Sequence, residues 1–222
     1  MKRLGIISAM ELENRKILNE TLDLDVSKYS GFEYITGFLY GKPVVIATCG
    51  VGKVNASICT QIMIDRFDLT GIIMTGISGS MDPLASHLSV IIAERFTYHD
   101  MCKAQMESIF PFKSEFAADE KLSTILSSSA KTALRGLIIS GDEFISDKDK
   151  KLTLKEKYPD ALAVDMESCG AAHTAYVNGV SFVSVRCISD MADDTADKDY
   201  DDFEDTAANV SAEIVIKAIN SM

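Results

Sequence analysis

The sequence predicts an α/β fold: one domain over residues 1–222, built on a mixed, mostly parallel sheet with helices on both faces. Two observations carry that expectation. Short runs rich in Val, Ile and Phe alternate with longer stretches of helical period along the whole chain. The 222 residues, 47% of them hydrophobic, can bury a sizeable core and match the size of a single α/β domain. No repeat, low-complexity tract or linker interrupts them.

RLGIIS reads as the first strand and AMELENRKILNE as the helix after it, with Met10, Ile17 and Leu18 at helical spacing and acids in a first turn that suits the helix dipole. FEYITGFLYGKPVVIATCG reads as a hairpin with Gly41 and Lys42 at its turn. VNASICTQIMIDRF is a helix, and TGIIMTGISGS a buried strand ending in a small-residue loop. LSVIIAERFTYHD and LRGLIISGDEF are further strands, with a helix from about Ala118 to Ala130 between them. Lys148 to Tyr158 is a polar helix, ALAVDM a strand, ESCGAAHTAYVNG a helix closed by Gly179, and VSFVSVRCISD the last strand. The final helix carries Phe203, Ala207, Val210, Ile214 and Ala218 on one face.

A net charge of −11 without any dense Lys/Arg cluster argues against nucleic acid or an anionic membrane as partner and points to small-molecule chemistry. The apolar run near the N-terminus stops at Glu11, far short of the roughly 20 residues of a membrane span, and reads as a strand. Five cysteines, odd in number and without a C-x-x-C pair, suit a reducing, cytosolic compartment.

Several motifs resolve to plain readings. Gly50-Val51-Gly52-Lys53 lacks the first glycine and the Ser/Thr of a phosphate loop, and Asn55 stands where a dinucleotide fingerprint needs its third glycine. A tight turn ahead of a helix is the better reading, with backbone free to line a pocket. Asp197, Asp199 and Asp201 begin like a calcium loop, but Asp202 and Ala208 replace its Gly and Glu, so a solvated acidic loop is expected. His87, His99 and His173 have no metal-ligand spacing, and no G-x-S-x-G elbow is present. Neither a metal nor another cofactor is expected.

Carboxylates remain. Glu13, Glu167 and Asp190 each follow a β-rich segment, and in such sheets ligands sit at the carboxyl ends of the strands. Taken singly, each reads as an exposed or capping acid; three converging at strand ends have a chemical use. Breaking an N-glycosidic bond passes through an oxocarbenium-like sugar and needs an acid for the departing base, a carboxylate to activate water and an anion on the sugar hydroxyls. The acid must hold its proton near neutrality, and Asp190, beside Ile188 and Met191, fits that better than Glu13.

LGIISAMELE, CGVGKVNAS, TGISGS, YHD, RGLIISGDEFI, LAVDMES and VSVRCISDMAD, in that order from Lys2 to Phe203, together resemble the 5'-methylthioadenosine/S-adenosylhomocysteine nucleosidases of the purine nucleoside phosphorylase superfamily. The resemblance implies a nucleoside phosphorylase/hydrolase-like fold, a purine nucleoside as substrate, no cofactor and a homodimer. It implies that Glu13 activates water and Asp190 protonates N7 of the departing adenine. Met166 and Glu167 line the ribose, Glu167 on its hydroxyls, and Phe144 and Ile145 stack on adenine and read its edge through backbone groups. Gly79 lies in the loop over the sugar, Ser189 and Arg186 support the acid and the water site, and Met10 and Val51 lie near the 5' substituent.

Glu13 and Met74-Thr75 stand where phosphorylase relatives place phosphate-binding arginines, so the resemblance implies water as the nucleophile. The chain departs from the family pattern at Asp165, usually Glu, at Ile77, usually small or hydroxylic, and over Met101 to Phe116, which lacks the D-x-T-x-F-G-Y-x-x-G-Q run that helps form the 5' pocket. Alternatives are a phosphorylase, a nucleosidase for another 5'-modified nucleoside, and a non-catalytic nucleoside-binding protein.

Overall fold

The alternating segments fold into one ten-stranded sheet in the computed structural model, which describes residues 1–222. The strands are β1 (Arg3–Ser8), β2 (Leu22–Tyr29), β3 (Phe32–Leu39), β4 (Lys42–Thr48), β5 (Leu69–Ser80), β6 (Val90–Tyr98), β7 (Glu115–Ala117), β8 (Leu134–Ser140), β9 (Ala161–Asp165) and β10 (Phe182–Asp190). The helices are α1 (Glu11–Glu20), α2 (Lys53–Arg66), α3 (Lys103–Ser108), α4 (Glu120–Ser129), α5 (Lys148–Lys157), α6 (Ser168–Asn178) and α7 (Ala196–Ser221).

The sheet runs β10-β6-β8-β9-β5-β1-β4-β3-β2, with β7 on the side of β6. It is mixed, as expected, and its longest ladder is the parallel pairing of β5 with β10, from Ile72 beside Phe182 to Gly79 beside Asp190. Because β10 pairs with β6 as well as β5, the strands β5, β10, β6, β8 and β9 close on themselves, and a short antiparallel seam of Gly79 with Val164 and Ser80 with Ala163 completes the ring. That closure removes two sheet edges. It also gathers the carboxyl ends of β5, β8, β9 and β10, where Ser78, Ser140, Asp165, Arg186 and Asp190 are buried.

Helices cover both faces. On one, Ala56, Cys59 and Met63 of α2 and Cys169, Ala171, Ala172 and Ala175 of α6 pack against Ile72, Met74 and Ile138 of the sheet. On the other, Ile17 of α1, Leu122 and Leu126 of α4, and Ala212, Val215 and Ile219 of α7 pack against Ile6, Ile46, Ile73 and Val183. Strands buried on both faces read as continuous apolar runs, which is why RLGIIS and TGIIMTG show no alternation.

Three differences from the sequence reading have physical reasons. The hairpin turn is Tyr40-Gly41, one residue earlier than expected: both residues have positive φ (49° and 74°), as a two-residue hairpin turn requires, and Lys42 already pairs with Leu39. Leu22–Tyr29, to which the sequence analysis assigns no element, adds a third strand to that hairpin; its side chains are mostly exposed, so no buried face marks it. The run Asp197, Asp199, Asp201 is not a loop but the first two turns of α7, where the helix dipole favours acids.

Helix α6 approaches α2 so closely that a Cβ on Gly170 would stand 2.8 Å from the Lys53 carbonyl oxygen and 3.1 Å from Ser57 Oγ. Gly170→Ala gains helix propensity but forces the two helices apart, and a net loss of about 1–2 kcal/mol is expected in urea unfolding; an unchanged or raised midpoint would show that the packing tolerates the methyl group.

Candidate active site

The pocket that the carboxyl ends of β1, β5, β9 and β10 surround has a volume of about 390 Å³. Its wall includes Met10, Glu13, Val51, Phe144, Met166, Glu167, Arg186, Ser189 and Asp190 from among the residues singled out in the sequence, together with Ala9, Ile77, Asp165, Asp197, Tyr200 and Asp201. Glu13, Glu167 and Asp190 therefore share one cavity. Gly79 and Ile145 are not on its wall. The Ile145 side chain packs instead with Leu137, Ile139 and Leu154 beneath it. Gly79 lies behind Asp190: a Cβ there would meet Asp190 Oδ1 at 2.8 Å, so only glycine leaves room for that carboxyl.

Arg186, 1% exposed, is the largest fully buried side chain of the protein and organises three of the acids. Its guanidinium lies 2.9 Å from Asp165 Oδ2, 3.4 Å from Glu167 Oε2 and 3.9 Å from Glu13 Oε1, and it donates to the Ser168 hydroxyl and the Ile77 carbonyl. A charge this deep is tolerable only when paired and hydrogen-bonded, and here both conditions hold.

Each acid has its own backbone partners. Glu13 reaches back from the first turn of α1, accepting the amides of Ala9 and Met10 at 2.8 Å on one oxygen and that of Ile77 at 2.9 Å on the other. Gly76 leaves space for it, since a Cβ would stand 2.3 Å from Glu13 Oε1. Glu167, at the start of α6, accepts the Gly52 amide at 2.9 Å. Asp165 accepts the amides of Glu167 and Ser168 and the Ser140 hydroxyl, so it braces the VDMES turn while pairing with Arg186. Asp190 faces away from that cluster: it accepts the Ser189 hydroxyl and the Ala192 amide, both at 2.8 Å.

Burial pushes the carboxyls of Glu13 and Asp190 above their ordinary values. Glu167 is raised to about 7, burial again leading and Arg186 opposing. The sequence expectation that apolar neighbours favour a protonated Asp190 over Glu13 is therefore too simple, because burial acts on both. Their partners separate them: Glu13 has Arg186 and three amides stabilising its anion, whereas Asp190 has one hydroxyl and one amide. An acid and a base can thus coexist in one cavity.

Tyr200 is not singled out by the sequence, and Asp197 and Asp201 read there only as part of a solvated acidic loop, because a run of aspartates hides the helix. Read as a helix, their i, i+3, i+4 spacing places all three on one face. Tyr200 Oη lies 3.3 Å from Met10 Sδ, and its ring meets Phe144 edge-on at 5.7 Å between centroids, forming an apolar end to the cavity. Residues 101–116 contribute nothing to the wall within one chain. No grouping of His, Cys, Asp and Glu with metal-binding geometry forms, and no helix is long and apolar enough to cross a membrane.

The family model of the phosphorylase superfamily matches residues 3–220. A 5'-methylthioadenosine/S-adenosylhomocysteine nucleosidase of Staphylococcus carnosus is 34% identical, with 99% of this chain and 100% of that protein covered. The chain belongs to this nucleosidase family. Among solved structures, the 5'-methylthioadenosine/S-adenosylhomocysteine nucleosidase of Neisseria meningitidis in complex with methylthio-immucillin-A superposes with a TM-score of 0.95 at 30% identity, each chain covered completely. The futalosine hydrolase of Helicobacter pylori superposes with a TM-score of 0.93 at 25% identity over 100% of this chain and 98% of that one. In this chain the VDMES and ISD segments are the ones that carry Asp165, Glu167 and Asp190.

Arg186→Met would leave three buried acids without their cation, and a loss of about 3–5 kcal/mol is expected near neutral pH. The loss should shrink on acidification. A carboxyl whose folded pKa lies above its unfolded value contributes stability that is complete at low pH and is lost as pH rises through the folded value; Glu13 and Glu167 are already raised with Arg186 present and rise further without it. Urea unfolding of the variant from pH 5 to 8 checks this, and a pH-independent deficit would contradict it.

Proposed function

We propose that the chain hydrolyses the N-glycosidic bond of 5'-thio-substituted adenosines, 5'-methylthioadenosine and S-adenosylhomocysteine in particular, as a cytoplasmic homodimer that needs no cofactor. The observation that carries this reading is the meeting of Glu13, Glu167 and Asp190 around one cavity whose only cation, Arg186, is already engaged.

In the proposed reaction Glu167 holds the ribose hydroxyls, Met166 packs against the sugar and Phe144 against the base. Asp190 transfers its proton to N7 of adenine as the bond between the anomeric carbon and N9 breaks and its electron pair enters the base. A water oxygen bonds to the anomeric carbon and its proton passes to Glu13. The products are adenine and a 5-thio-substituted ribose. The sugar cation that develops between these events lies among carboxylates, which stabilise it electrostatically.

Water is favoured over phosphate by charge. The wall holds six carboxyl side chains and a single guanidinium, so a phosphate dianion finds repulsion and no free cation. The apolar end formed by Met10, Val51, Phe144 and Tyr200 suits a thioether substituent. A second copy is supported by large exposed apolar side chains on α2, Val54 and Ile58, and after α3, Ile109, Phe110 and Phe112, which are unusual for a monomer surface.

Adenine release from 5'-methylthioadenosine, measured with and without phosphate, tests the reading. Hydrolysis is expected in both conditions, with Asp190→Asn slower by about 10²-fold or more; a phosphate requirement or a sugar 1-phosphate product would replace hydrolysis by phosphorolysis, and release confined to another 5'-modified nucleoside, such as futalosine, would reassign the substrate.

The plot of kcat/KM against pH should be bell-shaped. Activity falls on the acid side as Glu13 takes up a proton and on the alkaline side as Asp190 loses its own, with both limbs above the ordinary carboxyl range because burial raises both groups. Asp190→Asn should abolish the alkaline limb. Its persistence would place the proton donor elsewhere.

A further inference from the structure

Lys53 was read in the sequence as part of a tight turn, yet it lies at the centre of a closed ring of polar contacts outside the cavity wall. Its ammonium reaches both oxygens of Asp100, at 2.7 and 2.6 Å, and Asp142 Oδ2 at 3.3 Å. Its backbone amide donates to Asp142 Oδ1 at 2.9 Å, and the Asp142 amide donates to Asp100 Oδ2 at 3.0 Å. Three loops that follow β4, β6 and β8 are thereby tied together by one side chain. The Lys53 side chain is 16% exposed, against 32% for Asp100 and 50% for Asp142, so the ammonium end of the tie is shielded while its carboxylates meet solvent.

Both sides of this ring connect to the cavity wall. Gly52, next to Lys53, donates its amide to Glu167 Oε1 at 2.9 Å, and Phe144 lies two residues beyond Asp142. Gly52 has φ of 99° and a Cβ there would stand 3.4 Å from Asp142 Oδ1, so its amide is aimed by a conformation that needs glycine and by a loop that Asp142 holds from the other side. Gly52 precedes α2 without a side-chain cap, so no cap of its own holds that amide.

We propose that Lys53 is a positioning residue for the reaction: by locking the loops after β4, β6 and β8 together it aims the Gly52 amide at Glu167 and so sets the grip of Glu167 on the ribose hydroxyls. This rests on the role given to Glu167 above. The ring carries two carboxylates against one ammonium, so loss of the ammonium leaves Asp100 and Asp142 repelling one another and drives the two loops apart. Glu167 stays paired with Arg186 but loses its second anchor. The effect falls on the sugar-binding carboxylate and not on Asp190 or Glu13, which have no contact with the ring.

The test compares 5'-methylthioadenosine with its 2'-deoxy and 3'-deoxy forms in the unsubstituted protein and in Lys53→Met. The unsubstituted protein should lose about tenfold or more in kcat/KM on the analogue lacking the hydroxyl that Glu167 holds, the size of a hydrogen bond to a charged group. In Lys53→Met that discrimination should shrink to about threefold or less, with KM for the parent nucleoside raised about tenfold and kcat within about threefold. Lys53→Arg should restore both, since it keeps the charge. A purely structural role for Lys53 would lower the melting temperature and the active fraction while leaving the discrimination intact, and that result would overturn the proposal. Where Lys53→Met does not fold, Asp100→Ala serves: it removes the acceptor of both the Lys53 ammonium and the Asp142 amide and so opens the ring, and discrimination unchanged from the unsubstituted protein would again overturn the proposal. If the unsubstituted protein releases no adenine, the functional reading fails and this inference with it; if it does and discriminates, only the behaviour of the Lys53 and Asp100 variants decides.

Discussion

A guanidinium buried among three carboxylates is the interaction on which the rest of the site depends. Desolvating any one of these ions alone costs several kcal/mol. Arg186 offsets that cost for Glu13, Asp165 and Glu167 together, and it can do so because β10 runs between β5 and β6 at the centre of the closed sheet. Strand β10 therefore brings the cation to the place where the carboxyl ends of β1 and β9 bring the anions. Without that meeting point, the acids would have to stay protonated or turn to solvent.

The same arrangement divides the acids by electrostatic environment. Those that face Arg186 have their negative charge stabilised, and Asp165 spends its remaining acceptors on the turn that carries Met166 and Glu167. Asp190 ends the same strand as Arg186, four residues on, yet its carboxyl meets only a hydroxyl and an amide. Burial then favours its neutral form. Which partners each buried carboxyl meets thus follows from which side of one strand end it takes.

A second level of organisation lies in the loops. Glycines at 76 and 79 hold the backbone of β5 close enough for Glu13 and Asp190 to lie against it, and any side chain there would displace a carboxyl. Gly52 extends the same logic across the cavity by presenting an amide to Glu167. The small residues that look featureless as TGISGS and GVGK are the places where backbone, not side chain, touches the functional groups.

Most strands and helices and the three acids could be read from the chain because apolar runs are local and because a carboxylate after a β-rich run is a local pattern, whereas α3 and β7, six and three residues long, are too short to show a period; the family likeness of VDMES and ISD then named the chemistry. Leu22–Tyr29 was not legible because an exposed edge strand has no buried face, and Tyr200 was missed because a run of aspartates resembles a loop until the helix dipole that accepts it is in view. Arg186 was assigned only a supporting part, since nothing in RCISD reveals that three acids from elsewhere converge on it. Sequence by itself determined which residues are apolar, which are acidic and how they alternate. Tertiary structure alone decided which acids share a cation, which one stands apart from it and which backbone amides they meet, because these depend on distances of a few ångströms between segments far apart along the chain and on a desolvation that exists only once the sheet has closed.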